Sequence, residues 1–197
     1  MSVLHALQTR AAPFVALRHD LHRHPELGLK EFRTSELLAQ QLQSWGYNVT
    51  RGLATTGLVA QLRRGSGSKR LGLRADMDAL PIHEVNAFEH RSVHEGVMHA
   101  CGHDGHTAML MAAAQYLAQE VEFSGTLNLI FQPAEEHPGG AKIMIEEGLF
   151  ERFPCDAVFA AHNMPGVPAG QLVFIEGPAM ASSDDVTITL TGVGGHG

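Results

Sequence analysis

TLNLIFQPAEEHPGGAKIMIEEGLFERFPCDAVFAA, residues 126–161, sets an apolar strand, a helix and a second apolar strand in succession. The runs 126–131 and 157–161 are too continuously apolar for strands with one wet face, and residues 141–147 read as a helix closed by Gly148. Apolar strands alternating with helices predict an α/β fold, a mostly parallel sheet covered by helices on both faces. Upstream, apolar residues recur at helical spacing over 3–21 and 30–45, joined by the turn His24-Pro25-Glu26-Leu27-Gly28. Short β-like runs follow at 47–50, 57–62 and 70–75, and the turn-rich Gly65-Ser66-Gly67-Ser68 makes the last two neighbouring strands. Residues 81–97 are polar and without period, a long loop of the kind that carries function. A helix is expected over 105–119, slim along Ala112-Ala113-Ala114. Beyond Gly177-Pro178 the pattern changes, and 185–191 alternates like a half-exposed strand before GVGGHG at 192–197. Residues 1–180 therefore read as one domain and 181–197 as the first strand of a smaller one.

Composition narrows the function classes. A chain of 197 residues, 44% hydrophobic and 18% charged, buries an ordinary core without disulfides. The net charge of −7 has no acidic or basic block behind it, which argues against nucleic acid and anionic membrane as partners. With no leader pattern and no long apolar run, a cytoplasmic location is expected. Two cysteines, Cys101 and Cys155, fit a reducing compartment. Of thirteen histidines, six fall between His83 and His106, and imidazole is the commonest metal ligand, so the cluster marks a candidate site.

The densest constellation is Met98-His99-Ala100-Cys101-Gly102-His103-Asp104-Gly105-His106-Thr107. Cys101 and His103 stand two apart just before a helix, where both side chains can converge on one cation; thiolate with imidazole suits Zn, Mn, Co or Ni better than Mg or Ca. Phe131-Gln132-Pro133-Ala134-Glu135-Glu136 places two adjacent carboxylates at the carboxyl end of a strand, one able to ligate and one to act as base. Neighbours on a strand face opposite ways, so the pair must lie on a turn or present only one member. Arg74-Ala75-Asp76-Met77-Asp78 and Ala161-His162-Asn163 end two further strands with Asp76, Asp78 and His162; in a parallel sheet all three strand ends open on one edge. Around these, His24-Pro25-Glu26 reads as structural, His99 and His106 as outer partners of the ligands or exposed, His83, His90 and His94 as solvated loop, and Cys155 as packing.

The motifs HRHPELG, RADMDALP, HACGHDGHTAML, FQPAEE and AAHNMPG, in this order, resemble the metallopeptidase-related amidohydrolases that include hippurate hydrolases, N-acyl-amino-acid amidohydrolases and auxin-conjugate hydrolases. That resemblance implies a zinc-exopeptidase-like catalytic domain, with the start of a small α+β lid domain that pairs two chains into a homodimer in the full-length form. It implies a small-molecule N-acyl amino acid as substrate and divalent metal, two ions per site, held by Cys101, His103, Glu136 and His162, with Cys101 as the bridge. Glu135 would be the general base, Asp78 would orient the site, and His196 would polarise the scissile carbonyl. The family is roughly twice this length and carries a further histidine ligand near its C-terminus. The alternative expectation is therefore an inactive truncated fragment that retains metal or partner binding.

Overall fold

The computed structural model describes residues 3–182, 184 and 186–196. The chain separates into two compact units, Met1–Asn163 and Met164–Gly197. The first unit begins with helices α1 (Val3–Gln8), α2 (Ala11–Arg23) and α3 (Phe32–Ser44). The single helix expected over 3–21 is broken at Thr9-Arg10 because Pro13 has no N–H for the Thr9 carbonyl and its ring crowds that oxygen. At the turn after α2, the Glu26 carboxylate accepts the backbone N–H groups of Arg33 and Thr34 at 2.9 and 2.8 Å, capping α3 from outside, which is a structural role.

Strands β1 (Asn48–Leu53), β2 (Gly57–Arg64) and β3 (Arg70–Asp76) precede helix α4 (His103–Gln119), and β4 (Gly125–Gln132), α5 (Gly140–Glu146), α6 (Leu149–Arg152) and β5 (Ala157–Ala160) complete the unit. The sheet order is β1-β2-β4-β3-β5. The expected α/β layering is present, but the sheet is mixed: β4, β3 and β5 run parallel, while β2 is antiparallel to both β1 and β4. The expectation that β2 and β3 are neighbours is corrected, since β4 lies between them. Their link, Gly65–Lys69, crosses the start of β4, where Gly67 N–H donates to Ser124 Oγ at 2.8 Å and Thr126 N–H to the Lys69 carbonyl at 2.9 Å. Gly67 has to be glycine for that crossing, because a Cβ there would stand 2.3 Å from the Ser124 carbonyl oxygen.

Alternation along β2 and β4 divides the core. Leu58, Ala60, Leu129 and Phe131 pack under α2, α3 and α4 with Leu21, Leu38, Leu42 and Met111; Val59 and Ile130 face the other way onto Met144 of α5 and Leu149 of α6. Each large side chain fully buried there contributes about 1.5–3 kcal/mol. The edge strand β5, apolar in sequence and expected to be covered, has all four residues exposed.

The long loop is ordered by polar contacts. Glu84 accepts the Ser92 N–H at 2.6 Å and meets His22 Nε2 at 3.1 Å, while His22 Nδ1 meets Asp104 at 3.0 Å. His83 and His94 are exposed as expected, but His90 stacks on His19 with centroids 3.7 Å apart. In the second unit no helix or strand occurs among the described residues; the alternation over 186–191 selects faces but supplies no partner strand, and residue 185 lies outside the described residues. Among the described residues no helix is long and apolar enough to cross a membrane.

The Asp104 hydrogen bond raises the His22 pKa above its ordinary 6.5, against the effect of burial, with Glu84 adding to the rise. A raised folded value gives stability that is complete below about pH 6.5 and fades as pH climbs through the folded pKa. His22→Gln should therefore cost roughly 2 kcal/mol at pH 6 and less at pH 9, read from urea denaturation midpoints.

Candidate metal centre

The parallel register of β3 with β4 sets Asp76 opposite Gln132, and that of β3 with β5 sets Arg74 opposite Ala160, so the carboxyl ends of all three strands open together. The Arg74 guanidinium ties two of these ends, donating to Gln132 Oε1 at 2.7 and 2.9 Å and to Asp76 Oδ2 at 2.7 Å. Helix α4 points its first turn at the same edge, pinned by the Thr107 hydroxyl on the Asp76 carbonyl at 2.8 Å. Its first residue is His103, preceded by Gly102 in the left-handed region at φ 94°.

His103 is completely buried, and Nδ1 donates to Asp78 Oδ1 at 3.1 Å. Its other nitrogen, Nε2, has no hydrogen-bond partner. Around that bare nitrogen stand Asp76 Oδ2 at 3.7 Å, Glu135 Oε2 at 3.8 Å and Glu136 Oε1 at 3.9 Å. The donor atoms of Cys101, His103 and His162 lie within 4.8 Å of one another, as do those of His103, Glu135 and Glu136. His162 donates Nδ1–H to the Asn163 carbonyl at 2.6 Å, which leaves Nε2 as an acceptor for the Cys101 thiol at 3.6 Å. A buried imidazole nitrogen left unsatisfied beside a thiol, a second imidazole nitrogen and two carboxylates is a donor set that fits a borderline divalent cation.

The electrostatics agree. Burial pushes the Cys101 thiol up to about 12, and Glu136, which it hydrogen-bonds, together with Asp76 and Glu135 push the same way. Burial opposes charge on His103, but Asp78 and then Asp76 outweigh it and raise its pKa. Burial also raises Asp76, yet the His106 hydrogen bond and the charges of Arg74 and His103 hold it down to about 2. So much acceptor character around one unpartnered nitrogen asks for a cation.

Glu135 and Glu136 lie on a turn after β4, which lets adjacent side chains share one site. Asp78 Oδ2 accepts the Glu136 N–H at 3.0 Å, so one aspartate orients both His103 and this turn. Glu31, absent from the sequence expectations, does comparable work from below. It is fully buried, accepting the Ala134 N–H at 2.8 Å and the Thr56 hydroxyl at 2.5 Å, and burial raises its pKa. In sequence it is one more acidic residue before a helix, and no local signal marks it. His99 and His106, left open between outer partner and exposed, are both buried. Cys155 hydrogen-bonds the Phe153 carbonyl, consistent with packing. His196 is exposed in the second unit.

Comparison with known proteins follows the same lines. Residues 72–192 match Peptidase family M20/M25/M40. The chain belongs to that family. This M20 chain is 52% identical over 184 residues to the hippurate hydrolase of Campylobacter jejuni, covering 93% of the chain and 48% of that protein. It is 40% identical over 185 residues to the N-acyl-L-amino acid amidohydrolase of Geobacillus stearothermophilus, covering 93% and 50%. Among solved structures, the Bacillus subtilis YXEP protein, described as a dinuclear metal binding peptidase of the M20 family, matches with TM-score 0.75 and 37% identity over 83% of the M20 chain and 45% of its own. The chain spans about half the length of the curated relatives it matches.

Gly102 sits between two of the candidate donors, and a Cβ there would lie 2.5 Å from Asn163 Oδ1 in addition to forcing a side chain onto φ 94°. Gly102→Ala should cost about 1–3 kcal/mol in urea denaturation, while Gly96→Ala, at φ 75° with nothing within 4 Å, should show only the backbone part, about 1 kcal/mol.

Proposed function

We propose that this chain is the metal-binding catalytic part of a metal-dependent amidohydrolase that cleaves the amide bond of N-acyl amino acids, hippurate-like or related, releasing a carboxylic acid and an amino acid. The observation that carries the reading is the buried, unpartnered Nε2 of His103 facing Glu135 and Glu136, with Cys101 and His162 close by. The names and identities of the hippurate hydrolase and N-acyl-amino-acid amidohydrolase relatives support the choice of bond.

In this reading Cys101, His103, Glu136 and His162 would hold divalent metal, two ions per site drawn from Mn, Zn, Co or Ni, with Cys101 shared between them. The contact of Glu136 with the Cys101 thiol supports ligation by Glu136 and leaves Glu135, the more exposed of the two, free for proton transfer. Bound metal would supply Lewis acidity, activating a water and polarising the scissile carbonyl. Glu135 takes the proton of the attacking water and returns it to the leaving amine. Asp78 keeps the His103 proton on Nδ1 and fixes the Glu136 backbone, so neither ligand must reorganise during the reaction. His196 donates to the developing oxyanion, in the complete protein from a lid that begins near residue 181 after a catalytic domain of 1–180 and that joins two chains as a homodimer. A cytoplasmic location belongs to the same reading, and two free thiols support it.

Elemental mass spectrometry with hydrolysis of benzoylglycine tests the assignment. Cys101→Ala should lose both metal and turnover, and Glu135→Gln should keep its metal while kcat falls about 10²–10⁴-fold. Equal metal in Cys101→Ala and wild type, or full activity in Glu135→Gln, would sink the proposed roles.

A further inference from the structure

His106 lies one turn along α4 from His103, is 2% exposed, and has both ring nitrogens engaged. Nδ1 stands 2.7 Å from Asp76 Oδ1, and Nε2 accepts the backbone N–H of Asn163 at 3.0 Å. A ring nitrogen that accepts carries no hydrogen, so the proton resides on Nδ1 and is donated to Asp76. The Asn163 side-chain amide also meets Nε2 through Oδ1; with Nε2 already accepting the backbone N–H, the flipped amide, NH2 end inward, is the compatible orientation. That amide rests against Gly102, where no Cβ intervenes.

Asn163 is in turn the residue that holds His162, whose Nδ1 donates to the Asn163 carbonyl at 2.6 Å. The His162 ring lies 4.4 Å from the His106 ring at 60°. His162 is exposed and follows an exposed edge strand, so its orientation rests on the bond to Asn163, the ring contact with His106 and the Cys101 thiol 3.6 Å from Nε2. A continuous path of hydrogen bonds therefore runs from the anchored carboxylate of Asp76 through His106 to Asn163 and His162.

We propose that His106 is a positioning residue of the metal centre: held in one tautomer by Asp76, it fixes Asn163 and through it aims His162 Nε2 at the cation. The inference rests on the metal-hydrolase reading above. It competes with a role for His106 as a ligand, since donor atoms of Asp76, His103 and His106 also lie within 4.8 Å of one another. The commitment of both His106 nitrogens favours positioning.

Cobalt(II) titration of the metal-free chain under chelator competition, with the visible spectrum recorded, separates these cases. His106→Leu should bind the wild-type number of equivalents at saturation, with the weakest-held equivalent about 10–100-fold looser and the Cys101-to-cobalt charge-transfer band retained. His106→Gln, which keeps an acceptor for the Asn163 N–H, should recover part of the affinity. Fewer equivalents at saturation in His106→Leu would make His106 a ligand and overturn the proposal. An unchanged dissociation constant with a lowered melting temperature of the metal-free chain would make it merely structural and overturn it equally. Should His106→Leu fail to fold, Asn163→Pro on the exposed loop removes the backbone N–H that His106 accepts, with looser cobalt expected and unchanged affinity fatal. If the wild type shows no Cys101-dependent cobalt band, the metal-hydrolase reading itself fails, a result distinct from normal wild-type binding with indifferent variants.

Discussion

The 3.1 Å hydrogen bond from His103 Nδ1 to Asp78 joins the first turn of α4 to the segment following β3, in a place the solvent does not reach. A ring enclosed in this way cannot trade its carboxylate for water, so its free nitrogen has a fixed direction. Everything else at the strand ends is arranged against that direction. The second oxygen of Asp78 sets the turn bearing Glu135 and Glu136, and Cys101 is carried one residue before the glycine that opens the helix. Asp76, two residues earlier, gives its carboxylate to a different histidine. Two aspartates of one short segment thus serve two imidazoles on one helix, at positions separated by nearly a full turn.

The legible parts of the fold were those in which one local physical rule acts alone. Helix α3 and strands β1 to β5 fall within a few residues of their expected ranges, because helical spacing and short apolar runs bounded by turns mark elements, although the apolar run of β5 did not mark burial. The break at Thr9-Arg10 was written in Pro13 but outweighed by the apolar spacing around it. Sheet order was illegible: a five-residue link rich in glycine allows adjacent strands and also allows a step over a third, and only the contacts of Ser124 and Lys69 decide between them. For the same reason the alternation over 186–191 marked a face without a partner.

At the candidate site, donor types and strand-end placement were readable because metal chemistry restricts which residues can be used. The supporting shell was much less so. Glu31 and His106 act through burial and through backbone N–H groups distant in sequence, 103 residues away for Glu31 and 57 for His106. A carboxylate or imidazole used in that way has the same local sequence as one facing solvent.

The crossing of the Gly65–Lys69 link over the start of β4 bears on the order in which the molecule is made. Strands β2 and β3 leave the ribosome facing an empty slot, β2 with one edge unpaired and β3 with both, and the strand that fills the slot follows only about 50 residues later, roughly 3–10 s at ordinary rates of synthesis. During that interval the nascent chain has no complete sheet, and α4 can meet only α2, α3 and β3. Once β4 enters, its register is specified from both sides at once, against Leu58–Arg64 on one edge and Arg70–Asp76 on the other. The strand ends that gather the candidate metal donors are consequently among the last features of this unit to exist.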